Sequence, residues 1–364
     1  MCHPERRAEG SKSKDPVILM NDLNQKLLAI IQDGFPLVER PYKALAEMLN
    51  CDSKKDASEK CANLAVSEQK VFDEVEKMRT SGVIRRIGGV YDSKKLGFIS
   101  RLCAGKVPAS GNDFSAEHHA QTPMEKFTAV VNDEPAITHN YIRSHEYNVW
   151  FTVIVENESA IQTVVDRVCS ETDLHDVHVL TATKKYKINT VMGKGAGAPS
   201  KNVFASAVRQ SPENALTEAD RTRIHITCDD IPHSLTPFKD WGVSCDELRE
   251  DLAAKRMRRF GAILRHQDAG FPCNAMVCFM LDEGTLANSE SAGSLLAKKH
   301  YVSHCYERSS FENFPYNLYA MMHAQTPEEL NGYIKESEAL LDNPEYVVLH
   351  SLKELKKTSF RFFA

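Results

Sequence analysis

The stretch Arg-Arg-Ile-Gly at Arg85–Gly88 returns as Arg-Arg-Phe-Gly at Arg258–Gly261, 173 residues later. Farther out, Thr-His-Asn-Tyr-Ile-Arg-Ser at Thr138–Ser144 returns as Ser-His-Cys-Tyr-Glu-Arg-Ser at Ser303–Ser309, 165 residues later. The blocks keep their order while the segments between them change length, which indicates a duplicated unit. Because the repeated residues are mostly His, Tyr, Arg and Gly, the pattern points to a shared chemical site as well as a shared scaffold.

Three stretches of helical periodicity precede the first Arg-Arg motif. They begin at Asp22, at Pro41 and after Ser67, with proline and serine at first-turn and capping positions. A β-rich stretch from Val83 follows and is predicted to turn back on itself as a β-hairpin. Three helices and a hairpin predict a winged helix-turn-helix over residues 21–98.

The next segment, 99–192, has the order strand, helix, strand, strand, helix, strand, which is typical of a ferredoxin-like βαββαβ sheet with helices on one face. Residues 193–213 are rich in Gly, Ala, Ser and Pro and predict a linker. The pattern then restarts as a degenerate winged helix-turn-helix at 214–271 and a second βαββαβ unit at 272–364. The polar residues 1–20 predict disorder. The fold class is therefore α+β, as a tandem repeat.

The amino-acid composition limits the classes of function that this chain can have. The chain has 364 residues, 42% of them hydrophobic, which is enough for several domains with their own cores. It has no apolar run near the roughly 20 residues of a membrane helix and no secretory signal, so we expect a cytoplasmic protein without a membrane partner. The net charge of -5 argues against DNA as a partner. The ten cysteines form no C-x-x-C pair and are interpreted as free thiols.

A winged helix followed by a βαββαβ unit resembles the Lrp/AsnC regulators. More specific strings resemble the siroheme decarboxylases, an Lrp/AsnC-like family whose paired His-x-Tyr-x-Arg the regulators lack. These strings are Phe35–Tyr42, Gly82–Gly88, Thr138–Arg143, Ser303–Arg308, Pro315–Tyr319 and Lys356–Ser359. In most such systems the two halves are separate subunits, whereas here they are joined in one chain. The chain departs from the family pattern by insertions at 51–63 and 109–124 and by a shortened second helix-turn-helix.

The resemblance implies an activity. The family removes carbon dioxide from the two acetate side chains on rings C and D of siroheme, giving didecarboxysiroheme for alternative heme or d-type heme synthesis. Such an enzyme is a carbon-carbon lyase that needs no cofactor, because the macrocycle can accept the electrons and siroheme carries its own iron. We expect siroheme and its product as partners, an internal pseudo-dimer of the two repeats, and a homodimer of chains.

Two alternatives come from other function classes. The first is an Lrp/AsnC-type regulator that binds DNA, although acidic residues between Asp246 and Asp251 crowd the helix that would contact it. Specific DNA binding at moderate salt would favour this alternative. The second is a non-catalytic tetrapyrrole-binding protein, which would bind siroheme without releasing carbon dioxide.

The repeated motif supplies the predicted catalytic residues. Because residues two apart in a strand share a face, each repeat presents an imidazole, a phenol and a guanidinium on one surface. A solvated surface charge is the plainer interpretation of any single arginine, but the duplication favours a role in binding substrate. The predicted catalytic residues are His139, Tyr141, Arg143, His304, Tyr306 and Arg308.

Further residues are predicted to bind the anionic macrocycle. Arginine suits carboxylates because its planar fork binds them in a bidentate manner, and aromatic residues could cover the flat ring. No metal site built from the protein alone is predicted, although His139, His304 or His266 could ligate the iron of the substrate. The predicted substrate-binding residues are Arg85, Arg86, Arg258, Arg259, His145, Tyr147, Trp150, His266, Phe314, Tyr316 and Asn317.

Overall fold

A computed structural model describes the chain over residues 21–55, 65–108, 121–188, 216–264, 271–287 and 291–364. Several sequence predictions lie wholly or largely outside these ranges: the disordered segment 1–20, the insertions 51–63 and 109–124, the linker 193–213 and the site residue His266. Across the described ranges, no helix is both long and apolar enough to cross a bilayer.

The elements of the first repeat are α1 Asp22–Asp33, α2 Pro41–Lys55, α3 Glu68–Thr80, β1 Ile84–Tyr91, β2 Ile99–Gly105, α4 Pro123–Asp133, β3 Ile137–Arg143, β4 Val149–Val155, α5 Glu158–Thr172, β5 Val177–Leu180 and β6 Ala182–Ile188. Those of the second are α6 Glu218–Thr227, α7 Pro237–Trp241, α8 Cys245–Ala253, β7 Met257–Leu264, β8 Cys273–Phe279, α9 Glu283–Ala287, α10 Ala292–Ala297, β9 Val302–Arg308, β10 Leu318–Ala324, α11 Pro327–Leu340 and β11 Tyr346–Lys357.

The helices predicted before Arg85 are confirmed, and local chemistry sets where they begin. The side chain of Asn21 caps α1, proline opens α2 at Pro41, and the side chain of Ser67 caps α3. In the second repeat the helix corresponding to α2 is reduced to the five residues of α7. The second helix-turn-helix is therefore short, as predicted.

The acidic face predicted for α8 needs one correction. Asp251 is fully buried and ion-paired, with 3.2 Å between its Oδ2 and Arg223 Nε and 2.7 Å between its Oδ1 and Arg256 Nε. It therefore stabilises the second helix-turn-helix and does not face a would-be DNA partner. Asp246, by contrast, lies at the exposed start of the helix.

The β-rich segment of each repeat pairs with its counterpart. β1 lies antiparallel to β7, with Gly88 opposite Gly261. After β1, a 3-10 turn at Ser93–Leu96 ends at Gly97, whose φ of 86° requires a residue without a Cβ atom, and the chain enters β2. The predicted wing hairpins are therefore wrong. The two wing strands form one two-stranded sheet because their apolar faces are buried in a core that both repeats build.

The glycines of the duplicated Arg-Arg-x-Gly motif lie where the two repeats touch. A Cβ atom on Gly88 would lie 2.2 Å from the carbonyl oxygen of Asp229, just after α6, and one on Gly261 would lie 2.5 Å from that of Ile31 in α1. Each wing strand thus packs against the end of the first helix of the other repeat. Only glycine permits this approach, which accounts for its repetition.

Both repeats have the predicted ferredoxin-like order, β5-β2-β4-β3 and β11-β8-β10-β9. Pairing of β3 with β11 joins these two sets of strands into one nine-stranded sheet with β6 at its end, and its two halves are called the two sheets below. The single last strand predicted for the first βαββαβ unit is instead divided, since β5 pairs with β2 whereas β6 crosses over to pair with β9. In the same way, the first part of β11 pairs with β8 and its second part with β3. Each repeat therefore completes the edge of the other repeat's sheet.

The two sheets face each other, with their helices on the outer sides. One core lies beneath α4 and α5, and another beneath α10 and α11. A further cluster joins the inner faces of both sheets through Trp150 and Tyr147 of the first repeat and Phe314 and Tyr319 of the second. The repeats thus form the internal pseudo-dimer predicted from the sequence.

The boundary predicted for the last domain, 272–364, also needs correction. After β11 ends at Lys357, the chain turns back onto the winged-helix core, where Phe362 is 5% exposed. The Phe362 ring lies 5.1 Å from that of Phe98, centroid to centroid, and at 71° to it. The aromatic tail therefore belongs to the winged-helix layer, because its apolar rings are buried there.

Candidate functional site

The first copy of the His-x-Tyr-x-Arg motif lies on β3 with its three side chains on one face, which confirms that part of the prediction. The rings of His139 and Tyr141 are 6.5 Å apart and nearly parallel. The Arg143 guanidinium lies 5.2 Å from the centre of the Tyr141 ring, within cation–π range. Arg143 also donates hydrogen bonds to the Leu349 carbonyl at 3.1 Å and to Ser351 Oγ at 3.0 Å.

The second copy, on β9, repeats this geometry. The rings of His304 and Tyr306 are also 6.5 Å apart and nearly parallel. The Arg308 guanidinium lies 4.7 Å from the centre of the Tyr306 ring and 5.8 Å from that of Tyr319. It donates a hydrogen bond to the Leu180 carbonyl at 3.2 Å. The duplication is therefore one of side-chain arrangement as well as of sequence.

A β-bulge orients the histidine in each copy. The register of β3 against β4 shifts at Thr138, and that of β9 against β10 shifts at Ser303. A bulge places an extra residue in the strand and re-aims its neighbours. The hydroxyl oxygen of Thr138 consequently lies 2.8 Å from Nδ1 of His139, and that of Ser303 lies 2.9 Å from Nδ1 of His304. The hydroxyl engages Nδ1, so Nε2 is the nitrogen placed to meet a ligand.

The two copies face one shared space between the sheets. His139 contributes to lowering the pKa of His304, so the two imidazoles lie within electrostatic range of each other. Deeper in, Arg143 and Arg308 both act electrostatically on the thiol of Cys278. The side chains of both copies therefore surround one shared region, which is called the hollow below.

Burial sets the protonation states of this hollow. Desolvation, with smaller contributions from the nearby charges of Lys357 and Arg85, lowers the pKa of His139 to about 4. Desolvation also lowers the pKa of His304 to about 4, with His139 as the next cause. Burial raises the pKa of Tyr141 and of Tyr306. Both imidazoles are therefore neutral and both phenols protonated at neutral pH.

Arg143 is buried and Arg308 is partly exposed, and within the described ranges neither guanidinium contacts a carboxylate. Arg143 is 5% exposed, and desolvation lowers its pKa to about 10. Desolvation likewise lowers the pKa of Arg308, and the groups that oppose this are tyrosine and cysteine side chains. Burying a cation without a counter-ion costs free energy. Such cations are well placed to receive the carboxylates of an anionic ligand.

Charged residues surround the opening of the hollow, and they differ between the copies. At the first copy, Arg85 pairs with Glu354 and donates to the Lys357 carbonyl at 2.7 Å, beside a cavity of about 380 Å³. At the second copy, Arg258 Nε lies 3.9 Å from a carboxylate oxygen of Asp92. The structure thus brings both first arginines of the duplicated Arg-Arg pairs to the opening.

The second arginines of these pairs point away from the site, which corrects their prediction as substrate-binding residues. Arg86 donates to Ser359 Oγ at 2.6 Å and to the Asp229 carbonyl after α6 at 3.5 Å. Arg259 donates to the Gln32 carbonyl at the end of α1. Because strand residues alternate in direction, each second arginine faces the helix of the other repeat and bonds the carbonyls at its end.

Most of the predicted aromatic cover is instead core. Tyr147, Trp150 and Phe314 are each at most 1% exposed and pack edge-on or tilted against one another. Trp150 Nε1 also donates to the Tyr147 carbonyl at 2.7 Å. These rings seal the inner end of the hollow, so they support the site without covering a ligand at its opening.

Three further predicted residues lie at the same inner end. The side-chain amide of Asn317 donates to the Leu281 carbonyl at 2.7 Å and accepts from the Leu281 N–H at 3.0 Å. Asn317 therefore holds the backbone at Leu281, which corrects its prediction as a substrate-binding residue. Tyr316 reaches Glu345 at 3.3 Å. His145 packs against Phe314, and desolvation lowers its pKa.

Sequence reasoning missed several residues of the hollow. Glu354 and Lys357 belong to the second repeat but lie opposite Tyr141 and His139 in the register of β11 with β3. The string Lys356–Ser359 was a signal for this segment, although its crossing to the first repeat depends on strand pairing that a sequence does not reveal. His323 is buried and hydrogen-bonded to Ser303 of the second copy of the motif.

Across the described ranges, no group of three or more His, Cys, Asp or Glu side chains is arranged to hold a metal ion. The neutral Nε2 atoms of His139 and His304 are the nitrogens that could meet the iron of a bound macrocycle. The arrangement as a whole can bind a polyanion, hold it partly out of water and exchange a proton with it.

Comparisons with known proteins agree on the architecture. The family model for the AsnC-like ligand binding domain matches residues 95–187 and 268–356. The model for the siroheme decarboxylase NirDL-like HTH domain matches residues 24–55.

One relative and one solved structure match over most of the chain, and a second relative matches over nearly half of it. The chain is 31% identical to a siroheme decarboxylase of Hydrogenobacter thermophilus over 93% of its own length and 94% of that protein. It is 38% identical to a siroheme decarboxylase alpha subunit of Desulfovibrio desulfuricans, over 46% of this chain and 82% of that subunit. The crystal structure of the siroheme decarboxylase NirDL in co-complex with an iron-uroporphyrin III analogue matches with a TM-score of 0.61 and 26% identity, over 94% of this chain and 95% of that one.

Proposed function

The chain belongs to the siroheme decarboxylase family and is a siroheme decarboxylase, and we propose that it removes carbon dioxide from the two acetate side chains on rings C and D of siroheme. The observation that carries this proposal is the pair of His-Tyr-Arg sets that face one hollow, each with a desolvated arginine that contacts no carboxylate among the described residues. Such a hollow suits a flat ligand with carboxylates along its edge.

The proposed reaction is that of a carbon-carbon lyase. The bond between the acetate methylene carbon and its carboxylate breaks, and carbon dioxide leaves. The electron pair remains on the methylene carbon and delocalises into the conjugated macrocycle until a proton completes a methyl group. Because the macrocycle accepts these electrons, the reaction requires no separate cofactor. Each carboxylate lost consumes one proton.

The cations of the hollow bind and orient the substrate. Arg143 and Arg308 lie deepest, where low local dielectric strengthens their attraction for a carboxylate. Arg85 and Arg258 stand at the opening and can hold carboxylates that do not react. Binding removes the reacting acetate from bulk water, which destabilises its charge relative to the neutral product.

The histidines deliver the proton. Each neutral imidazole can donate from Nε2, because the hydroxyl of Thr138 or Ser303 engages Nδ1. Tyr141 and Tyr306, protonated at neutral pH, can donate hydrogen bonds to the carboxylate between the imidazole and the guanidinium. A proton donor, a phenol and a guanidinium thus line up along each acetate.

Both halves of the site come from one chain. We propose that the two half-sites serve the two acetates of one siroheme, and that the product is didecarboxysiroheme. We further propose that two chains associate as a homodimer, which light scattering of the purified protein would test by its mass.

Anaerobic incubation with siroheme, followed by mass spectrometry of the extracted tetrapyrrole, tests the function directly. We expect the mass of two carbon dioxide molecules to be lost, and we expect Arg308→Ala to abolish the loss in a folded protein. An unchanged mass with tight siroheme binding would instead support a tetrapyrrole-binding protein, and so contradict the proposal.

A further inference from the structure

The second copy of the motif contains a buried chain of three side chains. The hydroxyl oxygen of Ser303 lies 2.9 Å from Nδ1 of His304 and 2.8 Å from Nε2 of His323. Ser303 is 7% exposed and His323 is 6% exposed. A hydroxyl can accept a hydrogen bond from one imidazole while it donates to the other. The three groups therefore form a continuous path for a proton.

Strand geometry explains how these residues meet. The bulge in β9 turns Ser303 toward the hollow beside His304. On β10, Met321 lies opposite His304 and His323 follows two positions later, on the same face. The contact between Ser303 and His323 therefore results from the register of two paired strands, so the fold itself fixes these side chains next to each other.

The first copy has the hydroxyl but lacks the second imidazole. Thr138 bonds His139 as Ser303 bonds His304. On the neighbouring strand, Thr152 lies opposite His139 just as Met321 lies opposite His304. Two positions beyond Thr152 stands Ile154, an apolar residue that packs against the winged-helix core. The chain of three groups is therefore specific to the second repeat.

We propose that His323 and Ser303 are a proton relay that resupplies His304 during decarboxylation of one of the two acetates. This inference rests on the proposed function. As the carbon-carbon bond breaks, His304 gives its Nε2 proton to the methylene carbon. The proton of the Ser303 hydroxyl moves to Nδ1 of His304, and the Nε2 proton of His323 moves to Ser303. In the same step Nδ1 of His323 takes up a proton from water, so His323 stays neutral and one solvent proton is consumed per carbon dioxide. Proton exchange with water then returns both rings to the Nε2-protonated form before the next turnover.

The electrostatics of the hollow favour such a concerted path. His304 has a pKa of about 4, so an imidazolium intermediate is disfavoured there. In the relay the ring gains a proton at one nitrogen as it loses one at the other, and it stays neutral throughout. The first copy can draw a proton only from its single imidazole or from solvent. The two half-sites therefore differ in how the proton given to the substrate is replaced.

His323→Gln tests the relay. A glutamine amide can keep a hydrogen bond to Ser303 but cannot pass a proton. We expect release of one carbon dioxide to slow at least about 10-fold while the other release is unchanged, so that tetrapyrrole lacking one carboxylate accumulates in mass spectra. His175→Gln, at a side chain that is 87% exposed, is the matched control and should behave as the unaltered protein.

Substitutions at Ser303 separate a relay from a structural role. Ser303→Ala should reproduce the accumulation, whereas Ser303→Thr, which restores the residue type of the first copy, should keep both releases near their original rates. Siroheme binding, followed by its absorbance, should be unchanged in all variants. Normal rates in His323→Gln, or equal slowing of both releases, would overturn the relay. If the unaltered protein releases no carbon dioxide, the proposed function itself fails.

Discussion

Arg143 and Arg308 are desolvated and contact no carboxylate in the part of the chain that the structure describes, which lowers the stability of the fold. Arg308 is held by aromatic rings and one carbonyl. A buried cation without a counter-ion destabilises a fold, and an apolar side chain of similar volume is often tolerated better in its place. The residue is therefore better suited to binding an anion than to stabilising the protein.

We accordingly predict that Arg308→Met lowers turnover by at least about 100-fold while the free energy of unfolding is unchanged or rises by up to about 2 kcal/mol. Steady-state kinetics and urea unfolding of the same preparation measure the two effects. Arg223 provides the contrast, because it is buried and paired with the fully buried Asp251. Arg223→Met should destabilise by about 3 kcal/mol or more. A large loss of stability in Arg308→Met would contradict the assignment.

The neutral histidines make stability depend on pH. The pKa of His139 and of His304 falls from 6.5 to about 4 on folding. The unfolded chain therefore binds more protons between these values, and stability is lost as the pH falls below 6.5 toward 4. Between pH 7 and 5, we predict a loss of up to about 2 kcal/mol for each histidine.

Urea unfolding at pH 7 and pH 5 checks this prediction. His139→Gln should lose less stability than the unaltered protein over this interval, because one of the two pH-sensitive groups is gone. His350→Gln, at an exposed position, should follow the unaltered protein. An identical loss in all three proteins would show that the pKa of His139 is not lowered by folding.

At this scale the sequence predicts the chemistry of the motif well and its surroundings poorly. The alternation of a strand places His139, Tyr141 and Arg143 on one face in advance. By contrast, Glu354 and His323 enter the hollow through pairing between distant strands, and nothing local marks either residue. The second arginines were misassigned because a pattern gives the residue type at each position but not which neighbour it faces.

At the scale of elements, the wing strands depend on two glycines. We predict that Gly88→Ala destabilises the protein by about 2 kcal/mol or more, because its methyl group would meet the backbone oxygens of Asp229 and Thr227, which cannot move aside as the nearby Arg86 side chain can. Thermal or urea unfolding measures the change. Gly332→Ala is the control, since this position lies within α11 with no atom within 4 Å of the added carbon. It should be neutral or stabilise by up to about 1 kcal/mol; equal effects at both positions would refute the close-approach argument.

The helices were predictable because their limits are set locally, by caps such as Ser67 and by proline at Pro41. The ferredoxin-like order was predictable for a related reason, since each strand and helix shows its own periodicity. The wing hairpin was not, because Val83–Phe98 carries turn residues whether or not its strands pair with each other. β1 pairs with β7 because both strands bury their apolar faces in the same core. A local sequence pattern does not reveal that core.

At the scale of the whole molecule, the two repeats are held together by strands that cross in both directions. We predict that cleavage or splitting of the chain between residues 188 and 216 leaves an active complex, because the crossing strands β6 and β11 lie within their own halves. Co-expressed halves should co-purify and decarboxylate siroheme.

Each half alone should be unstable, because the second parts of the crossing strands and the wing strands would lack their partners. Size-exclusion chromatography of each half, with hydrogen exchange of the wing strands, measures this. A half that is monomeric and fully protected on its own would contradict the interdependence of the repeats.

The crossing strands also have a consequence for how such a protein must be made. Where two such repeats are separate subunits, each copy of one subunit requires one copy of the other. A subunit in excess would expose unpaired strand edges and would be prone to aggregate. Synthesis as a single polypeptide fixes the ratio of the two repeats at one to one. It also places the second repeat next to the first as soon as it is translated. The two half-sites carried by this one polypeptide are not identical, since Glu354 lies at one and His323 at the other.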